Sequence, residues 1–288
     1  MKKKMRFRKK RLSRSQGGDL VIILFLLAGA TFSALPLVFA ISNAFKPLSE
    51  LFLFPPQFFV RHPTLDNFKD LFVLMEDSWV PITRYLFNTL FITVIGTTGH
   101  VLMSSLAAYV LAKHKFPGRD FFFGLVVLSL MFAYQVTAIP NYLTMSALGW
   151  VNTYASIIVP AWSASLGLFL MKQFMEQIDD TLIEAAKIDG ASELRIFWKI
   201  VMPNVRPAWL TLIILSFQTL WNETGGRFIY SEQLKTLPYA LNQIIAGGVA
   251  RAGVGAAVGL VMMIVPIVVF VFNQAKVVET MGSAGINK

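Results

Sequence analysis

Apolar residues in this chain come in long continuous runs rather than at the short periods of an amphipathic strand or helix. Six runs stand out: Leu20 to Phe45, Tyr85 to Ala112, Phe121 to Met145, Tyr154 to Met175, Pro207 to Trp221 and Val254 to Phe272. A helix needs about 20 such residues to cross the roughly 30 Å hydrocarbon core of a bilayer, and only the fifth run is short by that measure. Pro36 and Pro140 lie inside runs, which spanning helices tolerate when neighbours satisfy the freed carbonyl. The pattern predicts an all-α membrane protein with about six transmembrane helices. Polar segments separate the runs. The stretch 46–84 is punctuated by Pro55, Pro56 and Pro63, 176–206 is charged and amphipathic, and 222–253 is long and glycine-rich. The chain therefore divides into a basic tail (1–18), a membrane domain (19–275) holding the polar segments 177–206 and 222–253, and a terminal tail (276–288).

Charge sets the expected orientation. Lys2, Lys3, Lys4, Arg6, Arg8, Lys9, Lys10, Arg11 and Arg14 precede the first run, which is too long for the apolar part of a cleaved signal and reads as a retained span. With that end in the cytoplasm, Lys113, Lys115, Arg119, Lys172, Lys187, Arg195, Lys199, Arg206, Lys276 and Lys288 fall inside. Only Lys46, Arg61, Lys69, Arg84, Arg227, Lys235 and Arg251 fall outside, spread over two long loops. Both termini are expected to be cytoplasmic, in the cytoplasmic (inner or plasma) membrane of a prokaryote. The net charge of +10 is thus topogenic, and no nucleic-acid partner is expected.

Composition agrees: 55% of residues are hydrophobic, 15% are charged and mean hydropathy is +0.60, against about a quarter charged in soluble domains. Absence of cysteine removes thiol chemistry, and His62, His100 and His114 are too scattered for a metal site, so no metal is expected. No P-loop sequence occurs, so ATP and Mg would have to sit on a separate ATPase, and no cofactor or catalytic residue is assigned to this chain. The runs hold almost no ionisable residue, which counts against a stand-alone secondary transporter or channel, the alternative reading.

The segment after Gln177 has a structure of its own. Thr181 and Glu184 stand at capping-box spacing, predicting a helix from about Leu182, with Asp179 and Asp180 before it. Gly190 is placed to end that helix in a left-handed conformation. A second helix is expected from Ser192, with Leu194, Phe197 and Val201 on one side, stopped by Pro203. Both are too short to span, giving a helical hairpin against the membrane surface. Glu184 could act simply as a capping acid, a role compatible with others.

That hairpin resembles the EAA loop of binding-protein-dependent ABC importer permeases: Glu184-Ala185-Ala186, then Asp189-Gly190-Ala191-Ser192, Ile200 and Pro203. Phe45-Lys46-Pro47, Asn88-Thr89-Leu90, Ala107-Ala108-Tyr109, Gln135 to Pro140, Leu148 to Thr153 and Trp221-Asn222 extend the resemblance to carbohydrate permeases of the maltose-permease G type. Ala133 departs from the pattern, standing where many relatives carry a proline before the Gln135 region. The resemblance implies the type I importer permease fold and a transport subunit without its own ATPase site, moving a sugar, in particular an oligosaccharide. It implies four kinds of partner: a second permease, an ATPase dimer, an extracellular solute-binding protein and membrane lipid. Glu184, Ala185, Ala186, Asp189, Gly190 and Pro203 would then couple to the ATPase, Glu184 by pairing with a basic residue there. Gly225, Gly226 and Tyr239, in an outer loop that could otherwise be a mere connector, would touch the solute-binding protein. The tail Thr280 to Gly285 loosely matches a glycine-containing tail that reaches the ATPase dimer. Asn88, Tyr134, Gln135, Asn141 and Trp221 have residue types that suit a sugar path, and equally suit hydrogen bonds between helices.

Overall fold

Each apolar run lies on helix, and no strand occurs among the described residues, which in this computed structural model are 16–76 and 79–284. The side chains of 16, 17, Tyr134, Val249 and 274–284 are not among those described. The basic tail and the side chains of the 280–285 segment therefore lie outside the description. Helix α1 (Gln16–Ala44) carries the first run and packs along the last helix, α14 (Ala252–Ala284). The other long unbroken helix is α4 (Ile82–Lys113). Phe25, Phe32 and most other apolar side chains of α1 are exposed, which suits a helix whose solvent is hydrocarbon.

Two runs are broken. The third forms α5 (Arg119–Ser129) and α6 (Tyr134–Ala147), after short α2 (Leu48–Leu51) and α3 (Asp66–Glu76) earlier in the chain. Ala133 is extended, with ψ 143°, so the chain bends there without a proline. The fourth forms α7 (Ala155–Trp162) and α8 (Ser165–Glu176), separated at Ser163 and at Ala164, which is extended with ψ 119°. The break in the third run leaves helices of 11 and 14 residues, each too short to span alone. Among the described residues, four helices are long and apolar enough to cross a membrane, Ala155–Glu176 counting as one across its break. A fifth is reached only if α12 (Arg206–Trp221) is joined to the helix before it, from which it bends by 80°.

Helix α4 runs the length of the fold and supplies its core. At one end Ala108 and Tyr109 pack with Met171, Met175, Ile183, Phe197 and Val201. At the other, Tyr85 packs with Leu71, Met75, Leu241 and Val258. Between them, Gly99 lets α7 come so close that a Cβ there would lie 2.0 Å from the Trp162 ring nitrogen. That nitrogen donates to the Ile95 carbonyl at 3.1 Å.

The segment after α1 is fixed by buried polar side chains. Lys46 donates to Asn43 Oδ1 (2.7 Å) and the Gln57 carbonyl (2.5 Å), and the Glu50 carboxylate accepts from the Arg61 and His62 amides. Asn67 donates to the Ala44 and Lys46 carbonyls at 3.0 and 2.7 Å, while Gly253 of α14 leaves no room for a Cβ beside it. A leucine at 67 would strand both carbonyls, and each unsatisfied buried polar group costs about 1–3 kcal/mol. Asn67→Leu is therefore expected to lower the thermal midpoint of the detergent-solubilised chain by several degrees, measured by intrinsic fluorescence, whereas exposed Lys69→Leu leaves it in place.

Candidate functional site

The hairpin forms, with different stops from those expected. Its first helix is α9 (Asp180–Ile188), capped by Asp179, whose carboxylate accepts from the Thr181 amide at 3.0 Å. The Thr181–Glu184 capping box does not form, because Asp179 is an equally good cap two residues earlier. Gly190 does close the helix, at φ +77°, with the Ala191 amide reaching back to the Ala186 carbonyl at 2.9 Å. The second helix starts at Ser192 as expected, with the Ser192 hydroxyl accepting from the Arg195 amide. It runs as α10 (Glu193–Ile196), a π-helical turn over Phe197–Val201, and α11 (Met202–Asn204). Pro203 does not stop it. The π turn sends the Met202 amide to the Phe197 carbonyl, a spacing that accommodates the donor Pro203 lacks, and the chain turns only at Val205.

The hairpin is two-sided. Ile183, Ala186, Ile196, Phe197 and Val201 are buried against α4 and α8, so the inner side rests on the protein's own helices. Leu194, expected on the buried side with Phe197 and Val201, is 67% exposed, and Ile196 takes its place. Ala186 likewise points inward, so it supports the hairpin from beneath and offers no outer surface. The outer side carries Glu184, Ala185, Asp189, Gly190 and Pro203, with Ile188 86% exposed and Trp198 half exposed. Glu184 has neither an ion pair nor a hydrogen bond to another side chain among the described residues.

Charges clamp the hairpin to α4. Buried Lys113 donates to the Ile178 carbonyl and to Asp180 (2.6 Å), and its cation holds the Asp180 carboxyl below the usual carboxylate range. Glu193 accepts from Tyr109 at 2.7 Å and pairs with Lys187 at 2.8 Å. Lys187 first, then Tyr109, hold the Glu193 carboxyl low.

At the far end of α4 the 222–253 segment is built as firmly. Asn88, expected along a sugar path, is fully buried: it donates to the Gln233 and Lys235 carbonyls (both 2.8 Å) and accepts from Tyr154 (2.6 Å). Thr89 accepts from the Leu237 amide, which begins α13 (Leu237–Ile245). Asn152, at φ +63°, donates to Ser231 and accepts from the Tyr230 and Ser231 amides, stapling the short turn after α6 to the long loop. Gly225, at φ +66°, is buried against Ile157 and Ile229. Only Gly226 of the expected contact glycines is exposed, while Tyr239 is half-buried and accepts from Lys235 at 2.6 Å.

Trp221, also expected along the path, is 2% exposed, donates to the Met262 carbonyl and stacks on Phe217. Gln135 is exposed on α6. Asn141 does line a cleft of about 380 Å3, with Thr219, Asn222, Glu223, Thr224 and Phe228. The last four belong to the loop region beyond Trp221, and their approach to Asn141 follows from the Asn152 staple, which no local sequence signal announces.

Residues 100–280 match the family described as binding-protein-dependent transport system inner membrane component. The arabinooligosaccharides transport system permease protein AraQ of Halalkalibacterium halodurans is 31% identical over 266 residues, covering 89% of this chain and 92% of that protein. The polygalacturonan/rhamnogalacturonan transport system permease protein YtcP of Bacillus subtilis is 33% identical over 215 residues, covering 74% and 72%. A crystal structure of a bacterial ABC transporter involved in the import of the acidic polysaccharide alginate contains a chain of the same fold. Its TM-score is 0.73 at 22% identity, covering 92% of this chain and 99% of that one.

Lowered carboxyl pKa values mean that the clamp's contribution is complete above the ordinary carboxylate range and is lost as pH falls through the depressed values. Amide hydrogen exchange in 180–200, corrected for intrinsic rate, is therefore expected to stay flat down to about pH 5 and then rise. Glu193→Gln is expected to raise it already at neutral pH.

Proposed function

Because the chain belongs to the family of binding-protein-dependent transport system inner membrane components, we propose that it is a permease subunit of an ATP-driven importer of oligosaccharides. Its partners in this reading are a second permease, a pair of ATPase subunits that hold the ATP and Mg, and a solute-binding protein outside. The hairpin carries the proposal. It is too short to span, its inner side packs against α4 and α8, and its outer side exposes Ile188, Leu194 and Trp198 around unpaired Glu184. Apolar side chains exposed beside charge, on a segment outside the spans, suit a protein partner better than lipid. An ATPase cleft with a basic residue opposite Glu184 fits that surface, with Ala185, Asp189 and Gly190 allowing close approach and Pro203 at its edge.

The Lys and Arg distribution supports a cytoplasmic hairpin and an external 222–253 loop. There Gly226 and the rim of Tyr239 would meet the solute-binding protein, with buried Gly225 holding the turn. Asn141, Thr219, Asn222 and Phe228 offer amides, a hydroxyl and an aromatic face to a sugar ring entering the cleft. A stand-alone secondary transporter or channel finds no support among the relatives, and Lys172, buried in the fourth run, is paired with Glu176.

Co-purification from detergent tests the docking surface. Glu184→Arg is expected to lose the ATPase while keeping the second permease, and full retention with normal coupling would refute the assignment. Gly226→Leu is expected to cut binding-protein stimulation of ATP hydrolysis about tenfold without loss of assembly. A single exposed substitution is the cleaner probe, since deleting 225–239 would also remove the Asn88 and Thr89 anchors.

A further inference from the structure

The breaks in the third and fourth runs lie side by side. Ser129, the last residue of α5, and Ser165, the first of α8, have hydroxyls 2.5 Å apart, and Phe123 stacks on Phe169 with ring planes 5° from parallel. Below the breaks α5 and α8 are also joined by Arg119 and Lys172, which share Glu176 at 3.3 and 2.6 Å. Above them, α6 and α7 are linked through the Asn152 turn to the long loop. The two broken runs thus form an inner pair, of which α8 packs on the hairpin, and an outer pair, held by the loop.

His100 sits at this fracture. Its Nε2 lies 3.2 Å from the Ala164 carbonyl and its Nδ1 3.2 Å from the Ser216 hydroxyl on α12. A carbonyl only accepts, so Nε2 carries the proton, and in the neutral ring Nδ1 accepts from the Ser216 hydroxyl. The ring bridges the broken span to the helix that continues from the hairpin. Gly167 makes the approach possible, since a Cβ there would come within 2.3 Å of the ring and 2.5 Å of Ser104. Trp162, just above the break, is tied separately to Ile95. Both sides of the fracture are therefore pinned independently to α4.

We propose that the Ser163–Ala164 break is a hinge between the inner and outer halves of the permease and that His100 is its positioning residue, linking the hinge carbonyl to Ser216 on α12. The inference rests on the importer reading. A hinge in hydrocarbon needs a partner for the carbonyl it opens, and an imidazole with one donor and one acceptor serves two helices without burying a charge. Movement of the hairpin reaches α12 directly and α8 through the shared core, and His100 keeps those two displacements in step.

The test uses the complete importer in proteoliposomes, reading sugar taken up per ATP hydrolysed. His100→Leu removes both bonds and is expected to lower that ratio at least tenfold while ATP hydrolysis continues. His100→Gln, with an amide donor and acceptor, is expected to recover most of it. Ser216→Ala, which removes only one bond, is expected to lower the ratio partway and serves in place of His100→Leu should that variant not assemble. An unchanged ratio in the assembled leucine variant, an unchanged ratio in Ser216→Ala, or a glutamine variant no better than leucine would overturn the proposal. A second readout separates this inference from the importer reading. The chain has no cysteine, so spin labels at Phe122→Cys and Ile139→Cys report the distance across the paired breaks. ATP-driven uptake by the unmodified complex with no ATP-dependent distance change would sink the hinge alone. No uptake of any oligosaccharide would sink the importer reading.

Discussion

Hydrocarbon offers no hydrogen-bond partner, so every backbone group opened by a broken helix must be served by the protein itself. Two of the six apolar runs are broken, and the fourth lies along one unbroken helix. α4 meets the demand with a polar stripe on its buried side: Asn88, Thr89, His100, Ser104 and Ser105, all buried. Asn88 and Thr89 hold the long loop, the Ile95 carbonyl holds Trp162, and His100 holds Ala164. A helix that serves so many partners along its length gains from being continuous, and it spans 32 residues without a proline.

The same helix joins the two functional ends. Asn88 anchors the loop at one end, and Tyr109 and Lys113 clamp the hairpin at the other. The polar contacts differ in kind. Loop contacts are mostly amide and hydroxyl bonds to main chain, joined by Arg84 on the Gln233 carbonyl and Tyr85 on Glu232, and they fix a shape. Hairpin contacts are ion pairs close to water, individually weak and sensitive to protonation. The loop is therefore the more rigid platform and the hairpin the more readily displaced element, as suits a surface that answers to a partner.

Much of this was legible in the sequence. Run lengths gave the helical membrane class, and Gly190 and Ser192 marked the hairpin's turn correctly because each acts through its own backbone or the next few residues. Signals that depend on neighbours in space were less legible. Asn88 and Trp221 look like path residues, yet their polar atoms are spent on the Gln233, Lys235 and Met262 carbonyls. Leu194 fits the amphipathic pattern of a regular helix, but the π turn that follows it rotates the buried side toward Ile196. The breaks at Ala133 and Ala164 leave no mark in hydropathy, since alanine is neutral to the pattern in either conformation. His100, dismissed as a metal ligand for want of companions, matters as a hydrogen-bonding group that only the packing brings to Ala164 and Ser216.

The route from hairpin to span has one further property. The 80° bend at Val205 could be a loose joint, but Val205 is buried and Trp209, one turn into α12, donates back across the bend to the Met202 carbonyl at 3.1 Å. A braced corner transmits rotation, where a loose one would absorb it. Displacing α11 should therefore carry α12 with it, and α12 bears Ser216 near its middle and Trp221 at its far end, the latter bonded to α14. By contrast α8 meets the hairpin through a hydrophobic face containing Met171 and Met175, a contact that can slide. One helix is thus driven rigidly and its neighbour softly, and the hydrogen bonds of His100 are what hold the second to the first.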